Sequence, residues 1–277
     1  MLFQSGISVY AQDSSGNLEL DLDTTRIISM VDDTLNEEQK LKLISEVEEI
    51  NSHGIQSDWL QDVAINDEAT IYTYMLPNNV ESVIACSETL DGAKKYDITE
   101  GNLHNEVIIT ENNKVYLDGF EVKLSQENEI ENEISLLANG STIYDVDRCP
   151  YGSPSDYTQY QGQIEQKNAE LGQRLETMTI SALALLISTL VGIYVPPAGI
   201  QASIAFGVAT DLITNGKNSG VQSTSISWKI KRYYYKTGKF AVHGTLCVQK
   251  MVGVFFTNKN YTGEKTNKTY FNCKEYY

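Results

Sequence analysis

Residues 177–210 run for 34 positions without one charged side chain. The run is interrupted once, at Pro196-Pro197, which splits it into an 18-residue leg (178–195) and a 16-residue leg (198–213) with Asp211 near its end. A stretch this apolar must leave water, either into a protein core or into a bilayer. Each leg repeats a small residue every four positions: Ala184, Ser188 and Gly192 on the first, Gly199, Ser203 and Gly207 on the second. At 3.6 residues per turn these form one stripe on each helix, and such stripes let two helices approach closely. The spacing predicts an antiparallel helical hairpin turned at the two prolines. Eighteen residues span about 27 Å as a helix, just short of a ~30 Å hydrocarbon core. The expectation is a hairpin that is covered in one state and inserts into a membrane in another. The competing reading is a hairpin that forms the core of the fold.

Charge divides the chain around that run. Residues 1–150 hold 30 Asp/Glu against 8 Lys/Arg, residues 151–214 hold 5 against 2, and residues 215–277 hold 2 against 11. The sum of −16 joins an acidic half to a basic tail. A chain this acidic is a poor nucleic-acid binder as a whole, but its last 63 residues suit an anionic surface.

The expected fold class is α+β in four parts. Residues 1–11 read as a signal-peptide remnant, because Val9-Tyr10-Ala11 places small or aliphatic residues at −3 and −1 of a cut before Gln12. Residues 12–148 read as an acidic α+β domain that shields the rest. They open on an irregular lead over 13–33. A helix follows, capped by Asn36 with Gln39 at N3 and carrying the stripe Leu41, Ile44, Val47 and Ile50. Strand-like runs occupy 69–76 and 80–87, and a meander occupies 106–124 with a turn at Asp118-Gly119. A short helix is expected over 127–137. Residues 149–214 read as a helical region, in which the Gln/Glu/Lys/Ala-rich stretch 158–176 is a long helix leading into the hairpin. Residues 215–277 read as a basic, aromatic β module.

In that module Ile226, Trp228 and Ile230 alternate with Lys229, Lys231 and Tyr233. Aromatic residues mixed with lysine and arginine suit a membrane interface. The candidate envelope-binding face comprises Trp228, Lys229, Lys231, Arg232, Tyr233 and Tyr235. Four cysteines without CxxC spacing suggest two disulfides in an exported protein. A hairpin centred on Asn260 places Cys247 opposite Cys273, which leaves Cys86 with Cys149.

Catalytic and metal signatures are absent. The three histidines form no HExxH motif, and there is no GxSxG, P-loop or GxGxxG. Acidic pairs abound in residues 1–150 and single out no acid–base couple. The expectation is a protein that is not an enzyme and takes no metal or cofactor.

The SVYAQ segment, the apolar run over 177–210 and the Tyr-rich basic stretch SWKIKRYYYKTGKF together resemble, in outline, the geobacillin-type large secreted bacteriocins of Gram-positive bacteria. That resemblance implies a secreted antibacterial protein without enzymatic activity and carries no functional residues across. The expected partners are a bacterial membrane or cell envelope, and an immunity protein. The alternative is a secreted or surface-associated binding protein with the hairpin as structural core.

Overall fold

The computed structural model describes residues 22–31, 35–52, 55–125, 143–146, 148–194, 202–220, 222–238, 241–243 and 246–275. Two seven-stranded antiparallel sheets are built around a helical hairpin, and the fold is mostly β rather than the expected α+β. The first sheet is a meander in sequence order: β1 (Leu60–Ile65), β2 (Thr70–Met75), β3 (Glu81–Glu88), β4 (Lys94–Glu100), β5 (Leu103–Ile109), β6 (Val115–Leu117) and β7 (Phe120–Glu121). Its β6–β7 hairpin turns on Asp118 and Gly119, at φ of 48° and 79°. An Asp-Gly pair meets the need of a two-residue turn for two positive φ values, as the sequence indicated.

Two helices precede this sheet. α1 (Leu22–Ser29) lies within the stretch expected to be irregular. α2 (Glu37–Ser52) begins with the expected capping box: the Gln39 amide donates to Asn36 Oδ1 at 2.9 Å and the Asn36 amide to Gln39 Oε1 at 3.0 Å. The stripe that α2 buries is Leu43, Val47 and Ile50, while Leu41 is exposed. The Leu43–Val47–Ile50 row includes the spacing of four that carries a helical stripe onward, which an every-third row loses.

The second sheet is ordered β8 (Lys123–Leu124), β10 (Gln159–Glu170), β11 (Ser225–Tyr234), β13 (Leu246–Phe256), β14 (Lys265–Glu275) and β9 (Ile143–Val146), with β12 (Ala241–His243) on β13. β10 corrects the long helix expected over 158–176. Its composition favours helix, but Ile164 packs on the core and Gln166 and Ala169 are fully buried between β11 and β8. Tertiary pairing outweighs a propensity worth only tenths of a kcal/mol per residue. Two register shifts along β10 adapt it to this place.

α3 (Ile180–Tyr194) and α4 (Ala202–Ser219) form the hairpin. α3 packs on β4 and β5 of the first sheet, and α4 packs on β13 and β14 of the second. Residues 182–187 of α3 are fully buried. Leu183, Leu186, Val208 and Leu212 of the hairpin join Ile84, Ile98 and Val107 on one side and Trp228, Ile230 and Phe255 on the other in a single core. Among the described residues, no helix is long and apolar enough to cross a membrane. The signal-peptide remnant and the 127–137 helix lie outside the described residues.

The disulfide pattern is corrected as well. Cys86, Cys149 and Cys273 form no disulfide. The β13–β14 register pairs Cys247 with Lys274 and Cys273 with Val248. The strands slip by one residue because the tip turns on two left-handed residues, Asn260 and Tyr261, rather than on Asn260 alone. One residue of slip sends two expected partners to opposite faces.

Candidate binding surface on the second sheet

The second sheet has an inner face against the hairpin and an outer face toward solvent. Alternation along β11 sorts the residues. Ile226, Trp228 and Ile230 are fully buried on the inner face. Lys229, Lys231 and Tyr233 take the outer face, as their spacing indicated. Trp228 is therefore core and leaves the expected binding face. Arg232 shares the inner register, is half-buried, donates to the Gln161 carbonyl at 3.3 Å and keeps a buried Nε without a hydrogen bond, so it does not stand beside Lys231 on the outer face. Tyr235 lies past the end of β11, stacked edge-on against Tyr151 and Tyr157.

Register assembles the outer face row by row. Lys229 stands beside Val254 and Asn267, Lys231 beside Val252 and Thr269, and Phe256 beside Lys265. Val252, Val254 and Phe256 are partly exposed, so an apolar stripe runs down β13 with lysines on both flanks. Lys231 and Lys265 are exposed. Sequence reasoning missed the valines and Lys265, because only the cross-strand register reveals them as neighbours of Lys229 and Lys231.

Aromatic rings fix the lysines. Lys229 Nζ lies 3.8 Å from the Tyr261 ring centre, and Lys250 Nζ lies 5.2 Å from that of Tyr233. Tyr233 packs on Tyr160, which is 55% exposed. Burial, reinforced by Glu165, pushes the Tyr261 hydroxyl above its ordinary pKa, so it stays neutral. Lys250 sits where the face closes: its ammonium donates to the Pro154 carbonyl at 2.8 Å, and burial holds its pKa below the usual lysine value. There the 148–157 segment covers a small second core of Tyr157, Val248, Phe271 and Cys273.

The hairpin residues fall elsewhere. Ala184 and Ser188 are buried in α3, and Gly192 is half-buried. Ser203 lies in α4. Pro196, Pro197 and Gly199 lie outside the described residues. Gly207 faces the second sheet, where an added Cβ would come 3.1 Å from Lys268 Nζ. Its smallness thus serves the seating of α4 on β14, beside the Lys268–Asp211 ion pair at 3.2 Å.

The amino end of α3 is tied to the first sheet by polar groups that sequence reading did not single out. The buried Glu100 carboxylate accepts the Ile180 and Ser181 amides at 2.7 and 2.9 Å. Asn105 Oδ1 accepts the Thr179 amide at 2.7 Å, and the Ser82 and Ser181 hydroxyls lie 2.9 Å apart. A carboxylate here satisfies free amides and meets the positive end of the helix dipole. In a chain with 37 acidic residues, nothing local in the sequence distinguishes Glu100.

A groove of about 350 Å³ lies between α2 and the first sheet, lined by Glu46, Glu49, Cys86, Lys94 and Tyr96 among others. Its carboxylates serve the fold: Glu46 accepts the Tyr72 hydroxyl at 2.7 Å, and Glu49 accepts that of Tyr96 at 2.9 Å and pairs with Lys94. Burial, with Glu46 and Glu49 nearby, drives the Cys86 thiol well above its ordinary pKa, opposite to what a nucleophilic cysteine needs. Among the described residues, no group of three or more His, Cys, Asp or Glu stands ready to hold a metal ion.

Compared with protein-family models, curated proteins and solved structures, the chain matches none. Nothing in those comparisons bears on the resemblance to secreted bacteriocins.

Proposed function

We propose that the protein attaches to an anionic membrane surface through the outer face of the second sheet, with the α3–α4 hairpin as its structural core. The carrying observation is the partly exposed stripe Val252, Val254 and Phe256 set between Lys229 and Lys231 on one side and Lys265 on the other. Apolar side chains flanked by lysines match the boundary between acyl chains and anionic headgroups. Each lysine near such a surface contributes on the order of 1 kcal/mol. Attachment outside the cell, to a bacterial envelope, belongs to the same reading. Co-sedimentation with anionic vesicles tests it. The double variant Lys231→Glu/Lys265→Glu should lose at least about tenfold in affinity, by the charge reversal of two surface lysines. Equal binding by the wild type and the variant would reject the face.

A second reading keeps the hairpin as an inserting element of a secreted antibacterial protein. One observation favours it: α3 carries no charge along its 15 residues, and its amino end is held by a few polar ties from Ser82, Glu100 and Asn105. Dye release from anionic vesicles, abolished by Gly192→Glu, is the outcome this reading expects. Intact vesicles at full protein coverage would reject it.

A further inference from the structure

The first sheet also has an outer face, opposite to the one that packs on α2 and α3. Register lays it out in rows. Asp62 on β1 stands in one row with Val83 on β3, and Ile71 and Ala85 stand in the next with Asp97 and Glu106. Ile71, Val83 and Ala85 are partly exposed, so this face has an apolar centre on β2 and β3. Acidic groups surround it. Asp62 and Glu81 are exposed and make no ion pair among the described residues. Asp97 and Glu106 share Lys95, at 3.3 and 2.6 Å, and Lys114 pairs with Glu121 at the far edge at 3.2 Å.

The outer face of the second sheet has the opposite sign. Glu165 stands beside Lys229 there, and the Tyr261 ring lies under the ammonium, so Lys229 is already partnered. The 148–157 segment closes the end at Lys250. At the tip, exposed Lys259 and Glu264 offset each other in charge. The stretch from Lys231 and Val252 to Phe256 and Lys265 stays open, and both of its lysines are exposed without an ion pair among the described residues. The two outer faces look away from each other across the hairpin, since α3 packs on the first sheet and α4 on the second. One copy cannot join its own two faces. We infer that the outer face of the first sheet docks, head to tail, on the open part of the second sheet's outer face in another copy of this chain. Sheets packed face to face lie about 10 Å apart, a gap that aliphatic and aromatic side chains fill while lysines meet carboxylates around them. Such a contact is heterologous and leaves a free face at each end, so association continues past the dimer unless a ring closes. The open patch spans about four strands by five residues, roughly 19 by 17 Å, well under the ~800 Å² per partner of stable complexes. The contact is therefore reversible and depends on concentration. The net charge of −16 opposes it at long range, and at about 0.15 M salt a Debye length of about 8 Å confines that repulsion. The inference stands whether or not the second sheet binds membranes.

Sedimentation equilibrium of the full-length protein at about 0.15 M salt tests the assembly. The weight-average mass of the wild type should rise at least about 1.5-fold from low to high micromolar protein, the range of weak complexes. Lys231→Glu/Lys265→Glu and Asp62→Lys/Glu81→Lys, each with the circular dichroism of the wild type, should stay monomeric alone. A one-to-one mixture of the two should associate again, because each supplies the charge that the other needs. A wild type that stays monomeric throughout, association retained by either variant alone, or a mixture no heavier than its parts would overturn the inference. Vesicle binding by the wild type, measured separately, reports on the membrane reading alone.

Discussion

Trp228 and Lys229 are neighbours in the chain and belong to different parts of the molecule. The indole is fully buried in the shared core, and the lysine lies over Tyr261 on the outer face. Substitutions at the two faces should therefore separate stability from binding. Trp228→Ala removes a large buried side chain and should cost about 3–5 kcal/mol. Lys231→Ala should change stability by no more than about 0.5 kcal/mol. Urea unfolding followed by circular dichroism reads both. Equal midpoints for Trp228→Ala and the wild type would mean that Trp228 is not core. Period-two alternation made this sorting legible in the sequence. Arg232 falls in the other register from Lys231, because in a strand the adjacent position faces the other way.

At the level of elements, the polar ties at the start of α3 decide how firmly the hairpin is seated. Glu100→Ala would leave the buried Ser181 amide and the part-buried Ile180 amide without acceptors and remove a charge-assisted pair, at a cost of about 3 kcal/mol. Glu100→Gln keeps one acceptor oxygen and should fall between the alanine variant and the wild type. Unfolding midpoints that do not shift in Glu100→Ala would show that the carboxylate does not hold the helix. The elements best read from sequence were those whose signals are local: the Asn36 capping box, the Asp118-Gly119 turn and the apolar hairpin. β10 and β4 escaped because their signals are not local. β4 begins Lys94-Lys95 and is polar in sequence, yet Tyr96, Ile98 and Glu100 are buried by packing from the helices. The disulfide expectation failed by a single residue of register, which a turn with two left-handed residues sets and no residue count can foresee.

For the whole molecule, the 34-residue uncharged run has become the centre of a fold with a sheet on either side. The acidic and basic parts of the chain are joined by one continuous core, and the second sheet draws strands from both sides of residue 149. Core and outer face are thus separate surfaces of the same sheet, and the proposed attachment does not require the hairpin to leave. Hydrogen exchange with mass spectrometry, with and without anionic vesicles, tests that claim most directly. The account predicts that residues 182–191 of α3 stay protected in both conditions while β11 and β13 gain protection on vesicles. Loss of protection in α3 when vesicles are added, with no gain in β11 and β13, would contradict it.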